Sequence, residues 1–406
     1  MAFNFGKRSF TLLIFLASFF LLKAQPLDLK LDKQNDVSSS DSIKISLLTC
    51  TPGPEVYALY GHMAIRYQNL LSGEDFVFNY GTFDMNAPYF IPKFALGLMD
   101  YQLGGVPYEY FHEHYSNDGA DIIAQVLNLT TEEEVKLVNL LIENFMPENR
   151  EYRYNFLYDN CATRPRDILE KCVDGEIVYS QDTIKSTYRT LLHEFNDRWP
   201  WSKLGVDLAL GAEADRPVNA RQKEFLPSYL MEHFNKAVIR DGSGKERPLV
   251  KEVNVDKAIS PLDETPEFIL SPMACALIFL AISLLVSICE FYRKKIAWWY
   301  DLCIFLAQGL TGIILFILVF LSEHPCTSSN WLIVLFNPIP LFFLPRIISR
   351  GRCLRSDLYH IIYGVILTLF IIFFGLIPQN IPLTVLPLAL ILLMRHTSHF
   401  ILCRKI

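Results

Sequence analysis

The sequence predicts an α+β globular domain followed by an all-α transmembrane bundle, and three observations predict it. Charged residues are spread through the chain up to about residue 267, after which apolar runs take over. The first part alternates short apolar stretches of strand length with amphipathic helical patterns. The second part holds five apolar segments, at residues 268–289, 298–321, 331–348, 358–376 and 381–394. Whole-chain averages hide this division: 51% of the 406 residues are hydrophobic and the formal net charge is −6. So mild a charge, with no basic stripe interleaved with aromatics, argues against a nucleic-acid partner.

Residues 1–24 read as a signal peptide. Lys7 and Arg8 precede an apolar run at 10–22 that is short for a spanning helix, and Ala24 offers a cleavage point. An uncleaved anchor is the competing reading. Residues 25–42 form a polar linker rich in Ser and Asp. The globular domain is expected over 43–240. Strands are expected at 43–50, 62–67, 76–80 and 121–129, with Ser72-Gly73 turning the hairpin between the second and third. Pro54-Glu55 is expected to open a short helix to about Tyr60. Thr131-Glu132-Glu133-Glu134 reads as a capping box. The helix it starts presents Val135, Val138, Leu141, Ile142 and Phe145 on one face, and Pro147 ends it. A further helix carries Pro165 in its first turn, which puts Cys161 at or just before its N-terminus. Residues 220–237 read as a helix and 241–267 as a polar linker to the membrane.

Of the five segments, the first, second and fourth are long enough for a bilayer core of about 30 Å. The third and fifth contain prolines (Pro338, Pro340, Pro345; Pro382, Pro387) and are expected as kinked or re-entrant pieces. Basic residues mark the first connection (Arg293, Lys294, Lys295), the third (Arg346, Arg350, Arg352, Arg355) and the tail (Arg395, Arg404, Lys405). The connections around 322–330 and 378–380 have no Lys or Arg. The positive-inside rule then places the basic connections and the C-terminus in the cytoplasm and the globular domain in the periplasm, as the signal peptide requires independently. The chain is thus expected as a multi-pass inner-membrane protein. Few ionisable residues fall within the apolar segments, so the bundle reads as an anchor or lipid-facing platform rather than an ion pathway.

Three of the nine cysteines, Cys50, Cys161 and Cys172, fall in the exported domain. Disulfides are the ordinary use of cysteine there. On one helix Cys161 and Cys172 would stand about 16 Å apart, too far to pair; Cys50 with either stays open. The functional reading is that Cys161 is a nucleophile. A thiol at a helix N-terminus meets the positive end of the dipole and unpaired N–H groups, which favour thiolate and can bind an oxyanion. Such a thiol needs a base and a group to orient that base. His62, His112, His114 and His193 are the histidines available. His62 opens an apolar strand; a satisfied core histidine is the plain alternative. His112 and His114 form an H-x-H with no third ligand beside it, so neither a metal nor another cofactor is expected.

Tyr60-x-His62-x-Ala64-Ile65 followed by Asn160-Cys161 resembles the circularly permuted papain-like thiol acyltransferases, the lecithin:retinol acyltransferase-like proteins among them. In that group a strand-opening His precedes a helix-starting Cys, and a polar residue on the next strand orients the His. Asn79 matches that position. The group often has His there, and Asn can also accept from an imidazole N–H. Four longer motifs, Thr49-Cys50-Thr51-Pro52-Gly53, Gly61-His62-x-Ala64-Ile65-Arg66, Asn79-Tyr80-Gly81-Thr82-Phe83-Asp84 and Tyr154-Asn155-Phe156-x-x-Asp159-Asn160-Cys161-x-Thr163-Arg164, look like the Lnb family, and the resemblance covers nearly the whole chain. It implies a papain-like (permuted) periplasmic domain on a membrane bundle. It also implies acyl transfer from a phospholipid donor to the N-terminal amine of a diacylated lipoprotein acceptor. Cys161, His62 and Asn79 would be catalytic; Tyr60, Asn160 and Arg66 would contact substrate or oxyanion. Arg164 fits a lipid head group or a plain salt bridge. A membrane-anchored cysteine hydrolase and a non-enzymatic envelope sensor are the alternatives.

Overall fold

Short apolar runs, buried on both faces of a sheet, build the centre of the globular half. The computed structural model describes residues 42–53, 58–84, 88–180, 184–259 and 269–403; the expected signal peptide and most of the expected 54–60 helix lie outside them. Strands β1 (Ile43–Cys50), β2 (His62–Asn69) and β3 (Glu74–Thr82) form an antiparallel meander. Then come α1 (Phe90–Leu96), β4 (Asp100–Pro107), α2 (Tyr108–Asn117), β5 (Ile122–Leu127), α3 (Thr131–Phe145), β6 (Glu151–Arg153) and α4 (Thr163–Cys172). Helices α5 (Tyr188–Asn196), α6 (Pro200–Ala209), α7 (Ala220–Lys223) and α8 (Pro227–Lys236) precede a last strand, β7 (Val250–Asp256). The seven strands make one antiparallel sheet in the order β7-β5-β1-β2-β3-β4-β6. One face buries Leu48, Cys50, Ala64 and Val77 beneath Phe111 of α2. On the other, Phe145 of α3 meets Phe76 and Phe78 edge-on, and Gln125 donates to Met231 O and Asn235 Oδ1 of α8. Each fully buried side chain of this size contributes roughly 1.5–3 kcal/mol.

Helix α3 is capped one residue earlier than expected. Thr130 Oγ1 accepts from Glu133 N, and Glu133 Oε2 accepts from Thr130 N. Its core contacts come from Leu137 and Leu141, while Val135 is 42% exposed. Glu133 is buried because it does three further-reaching jobs at once: it caps Thr130, accepts from Asp174 N and pairs with Arg247. The helix expected over 220–237 is two helices, because Pro227 cannot donate to the preceding turn and opens α8 instead. The described part of the expected 241–267 linker, residues 241–259, contains paired strands. Glu246–Pro248 pairs with Val238–Arg240, and Val250–Asp256 becomes the edge strand β7. Its side chains are mostly exposed, so its polar sequence carries no alternation to betray it.

The second half contains α9 (Pro272–Arg293), α10 (Trp298–Phe320), α11 (Ile339–Arg352), α12 (Leu358–Ile372) and α13 (Val385–Leu402). Among the described residues, the stretches 272–293, 298–320, 331–352 and 385–402 are long and apolar enough to cross a membrane. The third and fifth segments, expected as kinked or re-entrant pieces, are thus of spanning length, and the fourth is shorter than expected. The fourth is a 15-residue helix followed by a turn at Phe374–Leu376, whereas the fifth runs 18 residues. Pro387 sits in its first turn, where no intrahelical N–H is needed. Because α13 continues past the apolar run, it carries Arg395 and His399 into the bundle. Arg395 pairs with Glu290 of α9 and Asp301 of α10, and His399 Nε2 lies 2.8 Å from Asp301 Oδ2, all of them buried. The bundle is therefore more polar inside than its apolar segments suggest.

The two connections without Lys or Arg meet the globular half. Gly211 N donates to Cys326 O (2.7 Å), Ala212 N to Ser329 O (3.1 Å) and Asn330 Nδ2 to Leu208 O (2.7 Å). Gln379 Nε2 donates to Leu210 O and Asn380 N to Asp215 Oδ2. The 207–215 segment that makes these bonds is held by Arg189, which is 0% exposed. Its guanidinium donates to Asp207 Oδ1, Asp215 Oδ1, Leu210 O and Gly211 O. Replacing it, as in Arg189→Met, strands two carboxylates. The expected cost is about 3–5 kcal/mol, read as a lower thermal unfolding midpoint of the detergent-solubilised protein; an unchanged midpoint would contradict this role.

Candidate active site

His62 is the first residue of β2 and lies opposite Cys50 of β1. Its Nε2–H donates to Asn79 Oδ1 on β3 at 2.6 Å. An amide oxygen only accepts, so the proton resides on Nε2 and the lone pair on Nδ1. Tyr115 of α2 stacks flat on the ring, with centroids 5.5 Å apart and planes at 9°. Burial lowers the His62 pKa to about 4, and the Asn79 bond offsets this only in part. The imidazole is therefore neutral at pH 7.

Gly81 brings the thiol to this ring. The β3–β4 register shifts between Tyr80 and Thr82, leaving Gly81 at a bulge with φ of 95°. A Cβ there would stand 3.6 Å from Cys161 Cβ and 3.9 Å from His62 Cε1. One backbone position thus lies against both reactive groups.

Cys161 is set by the residue before it. Asn160 is 3% exposed and uses its whole side chain. Its Nδ2 donates to Phe156 O and Phe225 O, and its Oδ1 accepts from Ala162 N and Thr163 N, which open α4. The half-buried Cys161 is thereby held at the mouth of the helix. Burial pushes its thiol up to about 11, against the opposing pull of hydrogen bonds from the Met63 and Cys161 N–H groups. The resting pair is thus a thiol beside a neutral imidazole, with backbone donors already gathered at the sulfur.

The structure brings Cys161, His62 and Asn79 together and places the other candidates in supporting positions. Tyr60 accepts from Asn196 Nδ2 at 2.7 Å, and its ring packs against Phe156 and Phe195. Arg66 makes a two-pronged pair with Asp75 (2.8 and 2.6 Å) under the Tyr108 ring. Arg164 pairs likewise with Asp159 (2.6 and 2.7 Å) over Tyr152. Both guanidiniums are already engaged. All nine cysteines are free thiols, and the Cys172 thiol donates to Leu169 O. His112 and His114 contact Ser116 and Asp118 on their own helix region, and His193 bonds Asp207. Among the described residues, no group of three or more His, Cys, Asp or Glu is placed to hold a metal. Sequence reading missed Tyr115 and Gly81. A glycine interrupting a strand pattern was the available signal for the second, since it marks a bulge or close approach.

Two outcomes follow from this geometry. Gly81→Ala forces a side chain into a left-handed backbone position between the two groups; if Cys161 is the acylated nucleophile that the family resemblance implies, its acylation should fall about 10²-fold or more, as for a misplacement near 1 Å. An acylation rate equal to wild type would contradict the placement. If His62 is the base that accepts the thiol proton, it must be neutral to do so, and kcat/KM for that acylation should stay level from about pH 5 to about pH 10. It should fall on the acid side near pH 4, not near the ordinary histidine value of 6.5. An acid limb at 6.5 in a pH-rate profile would count against a buried neutral base.

Comparison with known families agrees with both halves. Residues 30–194 match the Lnb N-terminal periplasmic domain, and residues 263–406 match the Lnb transmembrane domain. No curated protein and no solved structure matches the chain. With its two matched regions in order on one chain, a mixed α/β domain and then a helical membrane region, the protein belongs to the Lnb family, as a membrane protein with a periplasmic N-terminal domain.

Proposed function

We propose that this protein is a lipoprotein N-acyltransferase. It moves a fatty acyl chain from a phospholipid to the N-terminal amine of a diacylated lipoprotein cysteine, through a thioester on Cys161. The observation that carries this reading is the His62–Asn79 bond, which leaves Nδ1 unprotonated in a site that Gly81 shares with the Cys161 thiol.

In the first half-reaction His62 Nδ1 takes the thiol proton as sulfur attacks the donor ester carbonyl. The N–H groups of Cys161 and Met63 receive the oxyanion. Collapse breaks the ester C–O bond, and the His62 proton passes to the departing lysophospholipid oxygen. In the second, the lipoprotein α-amine attacks the thioester, and His62 takes one amine proton. Collapse forms the amide and returns that proton to the Cys161 sulfur. The buried, neutral resting pair suits a site that must withhold the thioester from water until the amine arrives. The C-terminus and the arginine-bearing connections lie in the cytoplasm in this reading, and the inner membrane presents both lipid substrates to the periplasmic domain.

The test is expression in a host depleted of its own lipoprotein N-acyltransferase, with the mass of one N-terminal lipopeptide as readout. Wild type should add one acyl mass and Cys161→Ala none, and Asn79→Ala should slow the addition by about 10²-fold. No added mass from well-expressed wild type would reject N-acyl transfer. Addition by Cys161→Ala would reject the thioester.

A further inference from the structure

Helix α1 is unlike the other helices of the globular domain: it buries none of its own residues. Tyr89 at its start is 78% exposed, Ile91 77% and Phe94 52%. An isolated exposed leucine needs no explanation, but three large apolar side chains on two turns do. Their surroundings say what covers them. Leu96 O accepts from Glu323 N (2.8 Å), and Phe94 O lies 2.6 Å from His324 Nε2. Gly97 approaches so closely that a Cβ there would meet His324 N at 2.8 Å. Residues 323 and 324 follow α10 after two residues; Phe320, the last residue of this candidate span, and Leu321, its C-cap, are 60% and 58% exposed. The apolar face of α1 therefore continues the apolar surface of the bundle at the level where α10 ends.

From that face a row of rings runs inward. Phe94 stacks with Phe90 (6.2 Å), Phe90 with Phe83 (6.0 Å), Phe83 contacts Tyr101 (4.7 Å), and Tyr101 stacks on Tyr154 (4.1 Å). Tyr101 adjoins Gln102, which pairs with Thr82, the residue after the Gly81 bulge. Gly81 itself lies against the thiol, since a Cβ there would stand 3.6 Å from Cys161 Cβ. The row carries no charge; Arg153 and Asp100 beside it neutralise each other at 2.7 Å. A row of uncharged, mostly half-buried rings leading from the apolar face of α1 suits a hydrocarbon chain.

We propose that α1 seats in the periplasmic leaflet through Tyr89, Ile91 and Phe94, and that the acyl chain of a bilayer phospholipid reaches Cys161 along Phe94, Phe90, Phe83, Tyr101 and Tyr154. The nature of the chain rests on the acyl-transfer reading; the membrane seat does not.

The full-length protein, carrying a fluorescent unnatural residue at position 91, is reconstituted in vesicles of phosphatidylethanolamine and phosphatidylglycerol with brominated acyl chains. Fluorescence should be quenched relative to unbrominated vesicles; equal fluorescence overturns the seat. Cys161 acylation is then followed by intact mass. Ile91→Glu should take acyl groups from vesicle phospholipid at least about 10-fold more slowly than wild type, yet match it with soluble p-nitrophenyl acetate. Equal rates from vesicles overturn the delivery role. Phe90→Ala should reduce the ratio of decanoyl to acetyl transfer from p-nitrophenyl esters by about 10-fold; an unchanged ratio overturns the track. If wild type accepts acetyl from the soluble ester but nothing from phospholipid, the acyl-donor reading fails, while quenching at position 91 still decides the seat.

Discussion

A single buried guanidinium holds the two halves of this protein in register. Arg189 has no exposed surface, and its donors are divided between two carboxylates and two backbone carbonyls of the 207–215 segment. A buried cation is tolerable only when paired and hydrogen-bonded to this extent. That segment in turn bonds the loops at 326–330 and 379–380, which join the helices of the bundle on one side. Cys326 from the first of these loops packs with Leu157, Tyr188 and Phe225 inside the globular half. The globular domain is therefore braced against the end of the bundle and not merely tethered to it. The acyl transfer proposed above, with a lipid donor and a lipid acceptor, would gain from this, because the thiol would keep a set height above the bilayer.

The site uses the same economy of backbone and side chain. The Asn160 side chain makes four hydrogen bonds that fix the start of α4 and so hold Cys161 in place. Asn79 sets the proton on one imidazole nitrogen and frees the other. Burial drives both partners of the pair towards their neutral forms, the thiol upward and the imidazole downward. The helix N-terminus, which by itself would favour thiolate, is outweighed by desolvation. In the proposed mechanism activation would belong to the moment of attack, when the proton would move to His62 and the backbone donors near the sulfur would serve the new oxyanion.

Much of this was legible in the sequence, for reasons particular to each element. The strands at 43–50 and 62–69 announce themselves as short apolar runs bounded by turn residues, because both faces of the sheet are covered there. The hairpin at Gly73 and the position of Cys161 before its helix follow from local chemistry of glycine, asparagine and proline. The edge strand β7 was not legible, since almost all its side chains face solvent and only its backbone is committed. The lengths of α12 and α13 were misjudged because hydropathy tracks apolar side chains, whereas α13 continues through Arg395 and His399 on the strength of partners supplied by α9 and α10. Arg66 and Arg164 read as candidate phosphate ligands because their partners, Asp75 and Asp159, become meaningful only once strand and turn geometry brings each pair into bidentate contact.

By itself, the sequence determined the division into a globular and a membrane half, the direction of insertion expected from basic loops, and the identity of the thiol, the imidazole and the amide worth examining. These are properties of residue type, period and local spacing, which act over a few residues. Tertiary structure decided that residues 62, 79 and 161 share one point, that a bulge at Gly81 lies against two of them, and that burial leaves the pair neutral. It also decided that α1 lies beside the end of α10 rather than against the sheet. These depend on contacts between residues far apart in the chain and on the loss of water around them, and neither is written in any one segment.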